Sequence, residues 1–339
     1  MLNHPVRKNN FDFFRIYLAS VVFFAHYYYL TQISYPYDKS FFLFNSGFAV
    51  NAFFVVSGYL ITKSWIKSHD LKKYVKSRAK RIFPLYLLIL FLCFFIGYII
   101  NFEKGFLNYL SNGALDYLAW NAALLNFMHP NLPYLFESNP FNTVNGSLWT
   151  IKLEVAFYVF VPIIYFFLKT RKSRVVGTIC IYFLSAISFY ILKYVASRYA
   201  LPSELIYQIP SYLVLFMAGA IFNFIDFKKI NTLPYFLLSI LYFILFDYSL
   251  DRGLGFITPI MTAIFVIHFC EKLKFNIPIP KQVGDISYGI YILHFPVIQL
   301  MIQYDLIKYS YSVFYCYLIV VILSMISWHL FEKKILYSK

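Results

Sequence analysis

The chain has 339 residues, of which 60% are hydrophobic, 22% aromatic and only 13% charged. That composition excludes a soluble enzyme built on one large core and describes a polytopic membrane protein. The net charge of +15 would suit nucleic acid, but its placement along the chain, set out below, removes that reading. Met1–Asn10 is polar and no small-residue cleavage site follows the first apolar run, so no cleaved signal peptide is expected. Cys93, Cys180, Cys270 and Cys316 stand singly in separate apolar segments, which gives neither a disulfide framework nor metal-ligand spacing.

Hydrophobic runs between polar breaks predict an all-α fold of about ten transmembrane helices, near 11–30, 41–62, 82–101, 145–168, 175–194, 205–224, 233–249, 256–270, 286–304 and 312–331. No internal repeat or low-complexity linker divides them, so residues 1–339 read as a single integral-membrane domain.

The first run, FDFFRIYLASVVFFAHYYYL, carries Asp12, Arg15 and His26 inside an otherwise apolar helix. Arg15 and His26 are eleven residues apart, close to three whole turns, so Arg15, Ala19, Val22 and His26 share a stripe with Asp12 one turn below Arg15. An ionised side chain in mid-bilayer costs about 2.5–3.5 kcal/mol, so this stripe must face other helices or a hydrated cavity. Asp12 and Arg15 also fit a plain i,i+3 pair anchoring the inner end of the helix. His26 lies too deep for that account, and an intramembrane imidazole reads as functional by default.

The second run, FFLFNSGFAVNAFFVVSGYLIT, contains Asn45, Gly47 and Asn51, then Ser57, Gly58 and Tyr59 near the inner face. Small and amide residues at such spacings serve helix packing. Close backbone approach at Gly58 also suits a narrow ligand channel. The basic stretch of 63–81 reads as an amphipathic loop at the inner surface, in which Arg78 and Arg81 are spaced to share a helix face and to clamp phosphates. A short re-entrant or interfacial helix is expected at 115–128, followed by a Pro- and Asn-rich outer loop at 129–145 that is placed to roof an acceptor site. Glu154 then sits about 14 Å inward from the outer surface, a depth comparable to that of His26. Lys152 precedes Glu154 by two residues and points elsewhere. Further on, Glu204, Asp247, Asp251 and Arg252 read as solvated ends, and His268 and His329 as structural. His294 is a second intramembrane imidazole, about 12 Å in from the cytoplasm.

Orientation follows from Lys and Arg placement. With the N-terminus inside, the inner segments hold 23 of the 30 Lys and Arg, from Arg7 and Lys8 through the eight of 63–81 to Lys333, Lys334 and Lys339. The other 7, with Lys39, Lys104 and Lys152 among them, fall outside. Both termini are therefore expected in the cytoplasm of an inner (plasma) membrane protein, and the basic charge needs no nucleic acid.

In order along the chain stand FDFFR with His26 eleven residues past Arg15, FFVVSGYLIT, RAKRIFPLY, SLWTIKLEVAFY followed by Pro162, and SYGIYILHFP. Together they resemble the membrane acyltransferase-3 family, whose bacterial members O-acylate surface carbohydrates. The resemblance covers residues 11 to about 296. It implies a cytoplasmic acyl-CoA donor, most simply acetyl-CoA, with no permanently bound cofactor, and a carbohydrate acceptor modified on the outer side. It further implies that Arg15, His26, Arg78, Arg81 and Glu154 are functional. Asp12, Trp149 and His294 stand inside the same motifs and are secondary candidates. Two departures are visible: Glu154-Val155 replaces a common acidic pair, and Lys152 adds a charge to a usually neutral stretch. Some relatives append a hydrolase-like outer domain for the final transfer. With the chain ending at Lys339 none is expected here, and the chain is expected either to complete the reaction or to hand the acyl group to an accessory transferase; a homo-oligomer is equally open.

On this reading Arg78 and Arg81 hold the CoA phosphates, and Ser57, Gly58 and Tyr59 line the thioester path together with the stripe of Arg15. His26 is then the general base or transient acyl carrier, with Glu154 orienting its ring. The rival class is a transporter or exporter of glycan intermediates, because intramembrane His, Arg and Glu also mark transport pathways, and a third reading is a non-catalytic component of glycan export that keeps the enzymatic sequence features. Broken half-helices in symmetric halves would favour a transporter, and the sequence has no such repeat.

Overall fold

The computed structural model describes residues 9–38, 40–202, 206–226, 229–246, 248, 255–273 and 275–338. Arg7, Lys8, Lys39, Glu204, Lys228, Asp247, Asp251, Arg252, Lys274 and Lys339 lie outside the described residues. Among the described residues the chain is helical, with no strand. A helix stands at each expected run: α1 Phe11–Thr31, α2 Ser46–Ser68, α3 Leu71–Ile100, then a short α4 Leu115–Ala122, α5 Trp149–Phe167, α6 Arg171–Arg198, α7 Ile209–Ile221, α8 Leu233–Leu245, α9 Thr258–Glu271, α10 Ser287–Gln303 and α11 Ser312–Ser327. Six are long and apolar enough to cross a membrane: α1, α2, α3, α5, α6, and α11 with its continuation to Leu336.

Boundaries depart from expectation where capping chemistry overrides hydropathy. The second run starts at Ser46 because the Asn45 side chain accepts from the backbone N–H groups of Gly47 and Phe48, which makes Asn45 an N-cap rather than an interior residue. The basic stretch expected as a loop is helical almost throughout. His69, at φ +50°, ends α2, and Asp70 accepts from the N–H of Lys73 to start α3 only two residues later. Lys and Arg are good helix formers, so positive charge is no barrier to helix here. The expected helix of 115–128 stops at Ala122, where the Asn121 amide donates to the carbonyls of Tyr117 and His129, each at 2.8 Å. Helices α7, α8 and α9 each open with a proline in the first turn, where its missing N–H costs nothing.

The described chain divides into two compact units. The first comprises Met1–Leu18, Lys39–Val75 and Leu153–Pro278. Its tightest packing is between α2 and α7. A Cβ on Gly58 would lie 1.9 Å from the carbonyl oxygen of Phe216, and one on Gly219 would lie 2.1 Å from that of Val55. Two glycines thus let two helix backbones touch, as small residues do inside membranes. Pro162 in α5 leaves the carbonyl of Tyr158 without its helical donor, and the Tyr74 hydroxyl supplies one at 3.0 Å.

The second unit comprises Ala19–Asp38, Lys76–Lys152 and Ile279–Lys339. Here α10 is the central helix, and the same device recurs on it. Pro296 deprives the carbonyl of Ile292 of its donor, and the buried Asn145 amide replaces it at 2.9 Å. One turn on, the fully buried Gln299 donates to the carbonyls of Phe141 and Thr143 at 2.7 Å each, while Asn139 donates back to Gln299. The loop 129–145 is therefore bolted to α10 by amide side chains and is not a free cover.

Candidate functional site

In the second unit α1 and α10 bring two imidazoles together. His26 Nδ1 lies 2.7 Å from His294 Nε2, and the rings stack with centroids 5.0 Å apart. His294 is 0% exposed, and its Nδ1 is 3.0 Å from the carbonyl oxygen of Ile290. The edges of Phe23 and Tyr291 close around His294, and that of Phe295 meets His26. Tyr291 is itself tied to Thr150 by a 2.8 Å hydroxyl–hydroxyl bond. This links the SLWT motif, with the half-buried Trp149 at the head of α5, to the helix that carries His294.

Glu154 and the N-terminal part of α1, up to Leu18, belong to the first unit. The Glu154 carboxylate accepts from the hydroxyls of Ser57, at 3.4 Å, and Tyr158, one turn along its own helix. Asp12 and Arg15 form the i,i+3 ion pair at 2.8 Å, both partly buried. Tyr59 donates to Glu271 at 2.9 Å, and Lys63 reaches both at 3.1 Å. The close approach expected at Gly58 is made, and its partner is the backbone of α7. Of the residues expected along a thioester path, Ser57 and Tyr59 are thus engaged with carboxylates, and Gly58 is occupied by helix packing.

Arg78 and Arg81 share a face of α3 in the second unit. Arg81 meets Asp285 at 2.9 Å and lies 5.9 Å from the rings of both Tyr288 and Trp328. Ser287 donates to the other oxygen of Asp285. Arg78 is 3.4 Å from the Ser77 hydroxyl. A phosphate at Arg81 would therefore share the guanidinium with Asp285, as its planar fork permits. The Lys152 ammonium lies 4.7 Å from the centre of the Phe127 ring. His268 bonds Thr232 and stacks on Phe236, and His329 bonds the Gln282 carbonyl.

Reasoning along the chain missed Asn145, Tyr158 and Thr150 as supports and ranked His294 below His26. For Asn145 two signals were in the sequence. Each helix-interior proline demands a donor for the carbonyl four residues back, and an amide just outside an apolar run is a ready one.

Comparisons with known proteins are consistent along the whole chain. The acyltransferase domain family (acyltransferase-3) matches residues 8–330. The chain is 28% identical over 342 residues to an O-acetyl transferase of Shigella phage Sf6, covering 97% of this chain and 96% of that protein. It is 28% identical over 167 residues to nodulation protein 10 of Rhizobium leguminosarum bv. viciae, covering 46% of this chain and 44% of the relative. A putative O-acetyltransferase of Staphylococcus aureus (strain COL) is 26% identical over 75% of this chain, which spans only 46% of that relative's length. No solved structure matches.

Proposed function

Because this chain belongs to the acyltransferase-3 family, we propose that it is an acyl-CoA-dependent O-acyltransferase of the inner (plasma) membrane, acting on a hydroxyl of a cell-surface or lipid-linked glycan. Residues 1–339 form one acyltransferase domain of ten membrane-crossing helices with both termini cytoplasmic, a reading supported by the placement of 23 of 30 Lys and Arg on one side. The acyl group is acetyl, in keeping with the names of the phage and staphylococcal relatives. The observation that carries the assignment is the His26 imidazole, held against a second imidazole in an aromatic surround. The acceptor oxygen attacks the thioester carbonyl, and His26 takes the hydroxyl proton as the new C–O bond forms. The C–S bond breaks, and the departing thiolate receives that proton as free CoA.

Sealed vesicles test donor, acceptor and side together. Inside-out vesicles containing the protein and given isotopically labelled acetyl-CoA should yield glycan heavier by one labelled acetyl group per modified sugar. Right-side-out vesicles should yield none. Transfer only when acetyl-CoA is supplied at the outer face would overturn the orientation, and no transfer in either would overturn the activity.

Arg78 and Arg81 anchor the donor phosphates. Replacing either with Lys keeps the positive charge and loses the fork, so acyl-CoA binding to purified protein should weaken by about 10–100-fold, the loss expected for one charge-assisted hydrogen bond. Calorimetric titration of Arg78→Lys and Arg81→Lys reads this directly. Wild-type affinity in both would leave these charges to topology and to Asp285.

A further inference from the structure

We infer that His294 is a positioning residue that fixes which nitrogen of His26 acts as the base, an inference that rests on the general-base reading above. The argument runs inward along one line of polar atoms. The carbonyl of Ile290 can only accept, so His294 Nδ1, 3.0 Å away, carries the proton. A neutral imidazole has one proton, so His294 Nε2 is left with a lone pair. His26 Nδ1, at 2.7 Å from that lone pair, must then be the donor. By the same rule the unprotonated nitrogen of His26 is Nε2, and Nε2 takes the proton from the acceptor hydroxyl. When it does, the imidazolium still donates through Nδ1 to His294, so the bond strengthens as charge develops and neither ring has to turn.

The surroundings hold His294 to this one role. It is completely buried, and the rings of Phe23, Tyr291 and Phe295 stand edge-to-face with it at centroid distances of 6.0–6.4 Å. Its helix is held at Ile292 by Asn145 and at Tyr291 by Thr150. On this reading His294 orients the His26 ring; the Glu154 carboxylate, in the first unit, accepts from Ser57 and Tyr158.

The test uses full-length purified protein in lipid nanodiscs, with His294→Leu and His294→Gln. The Gln side chain places an amide oxygen where Nε2 stands and can accept from His26; Leu cannot. His294→Leu should lower kcat for acetyl transfer by about 10²–10⁴-fold, the usual worth of a general base, with KM for acetyl-CoA unchanged. His294→Gln should recover kcat to within about tenfold of wild type, because an orienting acceptor is again present. Nitrogen-15 NMR of histidine-labelled protein should show His26 protonated at Nδ1 in wild type and Gln, and a mixture of tautomers in Leu. A folded His294→Leu protein with wild-type kcat and an unchanged His26 spectrum would overturn the inference. If Leu does not fold, a folded Gln protein as slow as one lacking His26 overturns it equally. Tautomer scrambling in Leu without any change in kcat would uphold the positioning and instead remove His26 as the base.

Discussion

His26→Asn should fold, bind acyl-CoA as tightly as wild type and transfer acyl groups about 10²–10⁴-fold more slowly, the usual worth of a positioned general base. Asn is the sharp substitution because its amide nitrogen falls where Nδ1 stands. It can keep the 2.7 Å hydrogen bond to His294 Nε2 but offers no basic nitrogen. His26→Ala removes the bond as well, leaving the buried His294 without this partner, and should lower stability in addition to activity. The comparison separates packing from proton transfer. A purely structural histidine predicts Asn active and Ala poorly folded; a catalytic one predicts Asn folded and inactive. Mass spectrometry of glycan after a fixed incubation reads the rate, and calorimetry with acyl-CoA reads the binding. A folded Asn variant that transfers at the wild-type rate would sink the assignment of His26.

The helices were legible because a run of apolar residues long enough for a bilayer has few other fates. A helix stands at every expected run from 11–30 to 312–331, and the Asp12–Arg15 pair sits where its i,i+3 spacing put it. Less legible were the ends. Hydropathy assigned 63–81 to a loop, whereas the Asp70 cap and the left-handed His69 shape a two-residue break between long helices, and the Asn45 cap sets where the first of them begins. These signals are one side chain long and vanish in a window average.

The site was half legible, for a geometric reason. Depth along a helix fixes one coordinate of a side chain and says nothing of its azimuth relative to a helix 268 residues away. Counting inward gave His26, Glu154 and His294 all intramembrane depths, and only the folded chain chooses among the pairings. It gives His26 an imidazole and gives Glu154 two hydroxyls. The supports follow a rule that does operate on sequence: Pro162 and Pro296 each strand a carbonyl four residues back, and Tyr74 and Asn145 answer. Such partners are distant along the chain, so the rule states that a donor must exist and leaves its identity to the fold.

Gly58→Ala and Gly219→Ala are each expected to destabilise the protein by about 1–3 kcal/mol, the range for forcing extra atoms into a filled interior. What the new methyl group meets in each case is a backbone carbonyl, Phe216 for the first and Val55 for the second, and not a side chain that can swing away. Helices α2 and α7 must therefore part or shift along most of their contact. Because one displacement relieves both clashes, the double variant should cost clearly less than the sum of the singles, as coupled neighbours do. Thermal unfolding of detergent-purified protein, followed by Trp fluorescence, measures all three. The same variants decide what Gly58 is for. If it serves packing, activity per folded molecule falls alike in Gly58→Ala and Gly219→Ala, since both disturb one interface. If Gly58 lines the thioester path, Gly58→Ala alone raises KM for acyl-CoA while Gly219→Ala matches wild type once corrected for folded protein. Strictly additive destabilisation, or stability unchanged in either single variant, would mean that the two helix backbones are not held in contact at these glycines.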